Sequence, residues 1–540
     1  MRINGWARLT RIALLTVLAL IGISGCRADN PGGEPAEVVY GLTLTPSGID
    51  PHIHSSSELG IPLRSVYDTL IYRDPATLEF VPGLAESWQV SADGLIYTFV
   101  LRDDVRFHDG TPFNADAVRV NLERIMDPAN NSLKARELLG PLQRIEVHDM
   151  KRISLFLSQP YVPFLDALSQ PYIGIASPAA LAQYDAATYQ FHQVGTGPYR
   201  FVEYIPDDRL VLERNPEYAW GPSFVSNPGV PQVERLVFRF YTDTATRALA
   251  LESGEAQVMG ELLPTDARRL TQEGVIDLAP VPIPGQPLQF LLNTTRAPTS
   301  ELAVRQALIR ATDRQTIVQA VFQGYSPVAQ GPLSAVTLYY SPEVEQINQY
   351  DPVQAVALFN STGWVDTNQD GWRDQNGVPL VVDLVTAPWG LMPEVAQLLK
   401  SQWEDTLDVQ VRVLQVASFT MLNDVAASNE YNAIGMYSFG LDPSVLNAYY
   451  LSTGRLNWSH VSNVDLDSLL LAGLSETNPE VRASRYAAAQ RLIMEQALVL
   501  PIRDYVNLNG YQHEVQRLHF DAMGWFPLLA DLQIELPEQP

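Results

Sequence analysis

A chain of 540 residues with 46% hydrophobic content can bury more than one sizeable core, so composition excludes a disordered protein and predicts several lobes. Acids outnumber bases 61 to 36, a formal net charge of −25, which argues on electrostatic grounds against nucleic acid or an anionic membrane surface as partner. A single cysteine, Cys26, excludes an internal disulfide and a cysteine-based metal cluster.

Arg2, Arg8 and Arg11 precede the apolar run Ile12 to Ile23, which is too short for a comfortable membrane span and reads as an export signal over residues 1–25. Ile23-Ser24-Gly25-Cys26 resembles a bacterial lipobox, implying that Cys26 is diacylated and becomes the first mature residue. Residues 26–37 hold Pro31, Gly32, Gly33 and Pro35 without apolar periodicity, as a flexible tether would. Folded structure is expected from Val38, with a strand to Leu42, a loop from Thr45 to His52 at its carboxyl end, and a helix from Leu59 to Leu70.

Tyr97, Phe99 and Leu101 alternate with Thr98 and Val100, predicting a strand entered through the Asp93-Gly94 turn. Asp109-Gly110 marks a second turn. Asn114 then suits an N-cap, and Val118, Leu122 and Ile125 fall at helical spacing between Ala115 and Met126. Gln143 to Val147 and Arg152 to Leu157 alternate like paired strands. Gly195-Thr196-Gly197-Pro198-Tyr199 is glycine-rich, but no Lys-Ser/Thr pair or helix follows, so it reads as a turn and not a phosphate loop. A strand from Gln232 to Tyr241, a helix from Thr244 to Ser253 and a short strand at Glu255 to Val258 make a β-α-β unit. Further on, helices at Glu301–Ala311, Asp313–Phe322, Pro352–Ser361, Glu394–Glu404 and Val481–Ala497 mix with strands at Leu380–Thr386, Val409–Gln415 and Asn432–Ser438. Val506 to Tyr511 offers a closing strand.

The stretch Glu86 to Val118 closely resembles the signature region of the peptide/nickel class of extracellular solute-binding proteins, family 5, which serve ABC importers and include dipeptide- and oligopeptide-binding proteins. Gly195 to Tyr199 is similar to the family's Gly-Thr-Gly-Pro-Tyr turn, and Asn293, Val304 to Leu308 and Asp313-Arg314 to its middle block; Arg482, Tyr486, Gln490 and Glu495 to Pro501 fit as well. The resemblance implies an α/β fold, the type II periplasmic-binding-protein fold of the large cluster, with two lobes, a hinge between them and an extra subdomain. Its divisions are expected at 38–80 (first lobe), 81–191 (inserted subdomain), 192–284 (first lobe again), 285–499 (second lobe) and 500–540 (return to the first lobe).

The resemblance also implies an interlobe ligand cleft bordered by the loop that carries Ser47 and Ile49. In peptide-binding relatives an aspartate three residues before an Asp-Pro pairs with the ligand's α-amino group, since a buried ammonium needs a carboxylate. Here Asp442-Pro443 is preceded at that distance by Phe439. Asp442 is the substitute acid if the loop is rearranged, or Phe439 stacks on a sugar ring or a flat organic ligand. Trp389, Tyr437 and Gly440 complete the candidate ligand set, because ligands in open α/β sheets bind outside the carboxyl ends of strands.

Asp366, Asn368, Asp370, Trp372 and Asp374 sit at loop positions one, three, five, seven and nine, with Gly371 at six, as a calcium loop requires. Position twelve is Gly377 and not glutamate, so a weak structural calcium site and a metal-free turn both fit. No cofactor is required. His52 and His54 form an isolated His-x-His, His108 belongs to the signature, and no nickel-type constellation stands out. Neither a Gly-x-Ser-x-Gly elbow nor a His-Glu-x-x-His motif occurs, so an enzyme is not expected. The expectation is a monomeric lipoprotein, outside the cytoplasm and held to the cell membrane by its anchor. It captures a peptide-like or other small organic solute for ABC permease subunits and has no nucleic-acid partner. An oligosaccharide, a metal chelate or a sensor role stays open.

Overall fold

The computed structural model describes residues 36–535; Cys26, the export signal and most of the tether lie outside the described residues. A seven-stranded sheet forms the first lobe. Its order is Asp277–Pro282, Val506–Tyr511, Val258–Met259, Glu37–Leu42, Arg235–Phe240, Arg209–Arg214 and Tyr199–Ile205. The first strand is central and runs parallel to both Arg235–Phe240 and Val258–Met259. Buried on both faces, it is apolar almost throughout.

A four-stranded antiparallel sheet, ordered Ala85–Val90, Ile96–Leu101, Arg152–Leu157, Leu142–Asp149, makes the subdomain. Tyr97, Phe99 and Leu101 point inward and Asn114 caps the helix Ala115–Met126, its side-chain oxygen accepting from the Ala117 amide at 3.0 Å. The signature stretch is locked to the glycine turn through His108. Its Nδ1 accepts from the Gly195 amide at 3.3 Å, so the proton sits on Nε2, which donates to the Gly197 carbonyl at 3.0 Å. Gly195 and Gly197 are required because a Cβ at either would overlap the carbonyl oxygens of Ser65 and Val66. That crowding also shortens the expected helix Leu59–Leu70 to Gly60–Val66: Val66 gives its carbonyl to the Gly197 amide and Tyr67 turns extended.

The second lobe holds a five-stranded sheet, ordered Gln410–Gln415, Val381–Thr386, Ala433–Phe439, Gly285–Leu292, Val499–Arg503. Two crossings join the lobes. Asp277–Pro282 passes into Gly285–Leu292 through Ile283 and Pro284, and Val499–Arg503 passes into Val506–Tyr511 through Asp504 and Tyr505. The return therefore falls at Asp504, a few residues later than the expected boundary at 500, because Val499–Arg503 still pairs with Gly285–Leu292. The Ile283 amide donates to the Tyr505 carbonyl at 2.9 Å, so the two crossings are bonded to each other. Helices the sequence did not announce, Pro264–Gln272, Phe419–Ser428 and Val464–Ser475, fill the flanks.

Candidate functional site

The strand Ala433–Phe439 is fully buried over its first residues and half-buried from Met436 onward, where it runs out of the second-lobe core toward the first lobe. Tyr437 and Phe439, two apart on a strand, share a face. Their rings lie 5.3 Å apart, and each meets Tyr505 of the crossing, at 5.1 Å and 5.0 Å. Phe439 also lies 4.8 Å from the ring of Trp525 in the first lobe. Offset and tilted rings at these separations attract beyond their area. Trp389 is half-buried against the second-lobe core, and its neighbour Gly390 lies directly against the Tyr437 ring, where a Cβ would collide. Gly440 donates its amide to the Pro284 carbonyl at 3.0 Å, tying the aromatic strand end to the first crossing.

The structure thus brings Trp389, Tyr437, Phe439 and Gly440 together at the lobe junction. Asp442 is otherwise employed. It is buried, and both its oxygens accept from Arg482, at 2.8 Å each, while Oδ1 also accepts from the Ser444 amide at 2.9 Å. Burial pushes its pKa up, but the Arg482 charge and these hydrogen bonds outweigh that and hold it below the ordinary value. A carboxylate engaged in this way is not available as the substitute amine acceptor. Ile49 is a first-lobe core residue facing a small recess with Leu42, Pro46, Glu58 and Phe240, and Ser47 is exposed on the loop above it.

The loop Asp366 to Asp374 closes on itself. Asp366 accepts from the amides of Gln369, Asp370 and Gly371, and Asp374 turns its oxygens to Thr367 and Gly377. Among the described residues no group of three His, Cys, Asp or Glu side chains is arranged to hold a metal. His52 is a structural residue, its Nδ1 beside Arg124 at 2.9 Å and its Nε2 on the Gly174 carbonyl at 2.9 Å.

Several residues of the junction escaped the sequence. Thr43 Oγ1 lies 2.7 Å from Glu58 Oε1 and 2.6 Å from Glu261 Oε2, and Tyr505 donates its hydroxyl to Glu261 Oε1 at 2.7 Å. One threonine proton cannot serve two carboxylates. Burial first, and then the neighbouring Glu261, push Glu58 up to about 8, so Glu58 carries the extra proton near neutrality and donates to Thr43, which donates to Glu261. Thr43 and Glu261 each stand just past the carboxyl end of a first-lobe strand, and that position was the one legible signal.

Two α/β lobes joined by paired crossings, with side chains of both meeting beside those crossings, define a two-lobed binding protein. Residues 79–459 match the middle region of the bacterial extracellular solute-binding proteins, family 5. The chain belongs to this family. It is 28% identical over 500 residues to the glutathione-binding protein GsiB of Salmonella typhimurium, covering 90% of this chain and 92% of the relative. To GsiB of Pectobacterium atrosepticum it is 32% identical over 348 residues, 64% of this chain and 65% of the relative. NikA of Brucella suis, solved with Fe(III)-EDTA, shares the fold with a TM-score of 0.81 at 23% identity, covering 92% of this chain and all of that one.

Proposed function

We propose that the chain is an extracytoplasmic lipoprotein, anchored through Cys26, that captures a peptide-like organic solute between its lobes and presents it to an ABC-type import permease. One observation carries this reading: Tyr437 and Phe439 of the second lobe meet Tyr505 and Trp525 beside the crossings, so the junction is lined by aromatic side chains from both sides. Such side chains bury large apolar area on a ligand and release it when the lobes part. A solute with higher affinity for the closed arrangement shifts the hinge equilibrium toward it, and the permease reads the closed form. The glutathione-binding names of the two relatives support a small peptide over a sugar. The chain binds its solute and does not transform it.

Thermal melting of residues 27–540 against separate pools of small peptides, oligosaccharides and metal chelates tests the proposal. A ligand that binds only the folded state raises the midpoint by mass action. Peptides are expected to raise it, and a rise with sugars or chelates alone would reassign the solute. Silence in every pool would favour the sensor role.

A further inference from the structure

Among the described residues seven arginines are buried, and six of them donate at least two side-chain hydrogen bonds, although the Nε of Arg64, like that of Arg503, is buried without a partner. Arg64 and Arg482 hold carboxylates, and Arg247 and Arg305 hold sets of backbone carbonyls. Arg503 is the exception. It is 5% exposed, its one hydrogen bond runs from Nη1 to the Ser326 hydroxyl at 3.0 Å, and its Nε is buried without any partner. Its guanidinium carbon lies over two rings, 4.2 Å from the centroid of Phe322 and 4.1 Å from that of Tyr505. Stacking of this kind orients a guanidinium while leaving its in-plane donors free.

The location gives the free donors a purpose. Arg503 ends the last second-lobe strand before the return crossing, and the Tyr505 ring beneath it belongs to the aromatic group of the junction. Glu261 fixes that ring by its hydroxyl. Trp525, whose ring is 6.1 Å from that of Tyr505, adds a second buried donor without a partner at Nε1. A buried cation with idle donors is costly in a finished protein and is relieved by an incoming anion.

We propose that Arg503 anchors a carboxylate of the captured solute, so that the substrate class is small molecules carrying a free carboxylate, peptides among them, and not neutral sugars. This rests on the reading of the lobe junction as the capture site. The anchor sits on the second lobe at the crossing itself.

The test compares tri-alanine with its C-terminal amide and ethyl ester, and glutathione with its diethyl ester, so that the neutral forms carry no free carboxylate, by titration calorimetry and melting, on the wild type, Arg503→Met and Arg503→Lys. On the wild type the free acids are expected to bind roughly ten- to a hundredfold more tightly than the neutral derivatives, as a charge-assisted, desolvated contact would give. Arg503→Met should bring the acids down to the level of the neutral forms, and Arg503→Lys should recover part of the difference. Without ligand, Arg503→Met should melt no lower than the wild type. Neutral forms that bind the wild type as well as the acids do, or acids that bind Arg503→Met undiminished, would overturn the inference alone. An Arg503→Met protein that melts markedly lower and loses acids and neutral forms alike would make Arg503 a scaffold residue, which also overturns it. If neither acids nor neutral forms bind the wild type, the peptide-capture reading itself fails, and the inference with it.

Discussion

Two arginines of the second lobe are buried to a similar degree, Arg482 at 3% exposure and Arg503 at 5%, yet their surroundings are opposite. Arg482 meets both oxygens of Asp442 and donates Nε to the Gly473 carbonyl at 2.7 Å. Arg503 meets one serine. A buried ion pair with all its donors engaged fixes one arrangement of the chain, and removing either partner strands the other. A buried charge left short of partners contributes little stability by itself, and under the proposal above the missing partner is the solute's carboxylate. The contrast separates scaffold from candidate site without any appeal to sequence position.

The comparison breaks first at the partnered end. Asp442→Ala leaves Arg482 uncompensated, and the expected loss is about 3–5 kcal/mol in chemical denaturation, with little left for a ligand to rescue. A loss under 1 kcal/mol would mean that the pair is not a scaffold element. A smaller effect belongs to Glu58, a buried acid that keeps its proton. Its folded pKa, about 8, lies above the unfolded value, so its contribution to stability is complete below about pH 4.5 and disappears as pH rises to about 8. Glu58→Gln should flatten the stability profile over that window by an amount on the order of 2–4 kcal/mol. Asp504, raised to about 6 by burial, slopes the lower part of the profile in the same direction, so the interval from pH 6 to 8 reports Glu58.

Gly285 lies at φ +125°, and a Cβ there would collide with the Ser438 carbonyl oxygen. Gly285→Ala should cost roughly 1–3 kcal/mol and loosen the joint between the first crossing and the aromatic strand end, read as a lower melting point and a weakened response to ligand. The smallest effect sharpens the original contrast. Ser326→Ala removes the single hydrogen bond of Arg503 and should cost less than about 1 kcal/mol, against several for the loss of Asp442.

Much of the first-lobe architecture was legible because local chemistry repeats the tertiary answer. Tyr97, Phe99 and Leu101 alternate as their strand demands, and Asn114 caps the helix it announces. The aromatic strand end was legible too, since Tyr437 and Phe439 fall just where a strand leaves a core. Asp442 was misread because nothing near it in the chain reveals Arg482, forty residues on, as its partner. Glu58 and Glu261 are two acids among 61, and only the fold brings them, 203 residues apart, onto one threonine. Tyr505, Trp525 and Arg503 were hidden for the same reason: each looks like an ordinary core or strand residue until its neighbours from distant segments are in place.

The bond between Ile283 and Tyr505 has a mechanical meaning. Two separate strands between lobes would let one lobe swing, slide and twist against the other. Stitched together by this bond, they are expected to move as a single pin with mainly one angular degree of freedom. Tyr505 is part of that pin and of the aromatic lining at once, and Arg503 is two residues from it. On the proposed reading of the junction as the capture site, the axle and the palm of the hand are one piece, and a solute gripped there is coupled to the rotation directly.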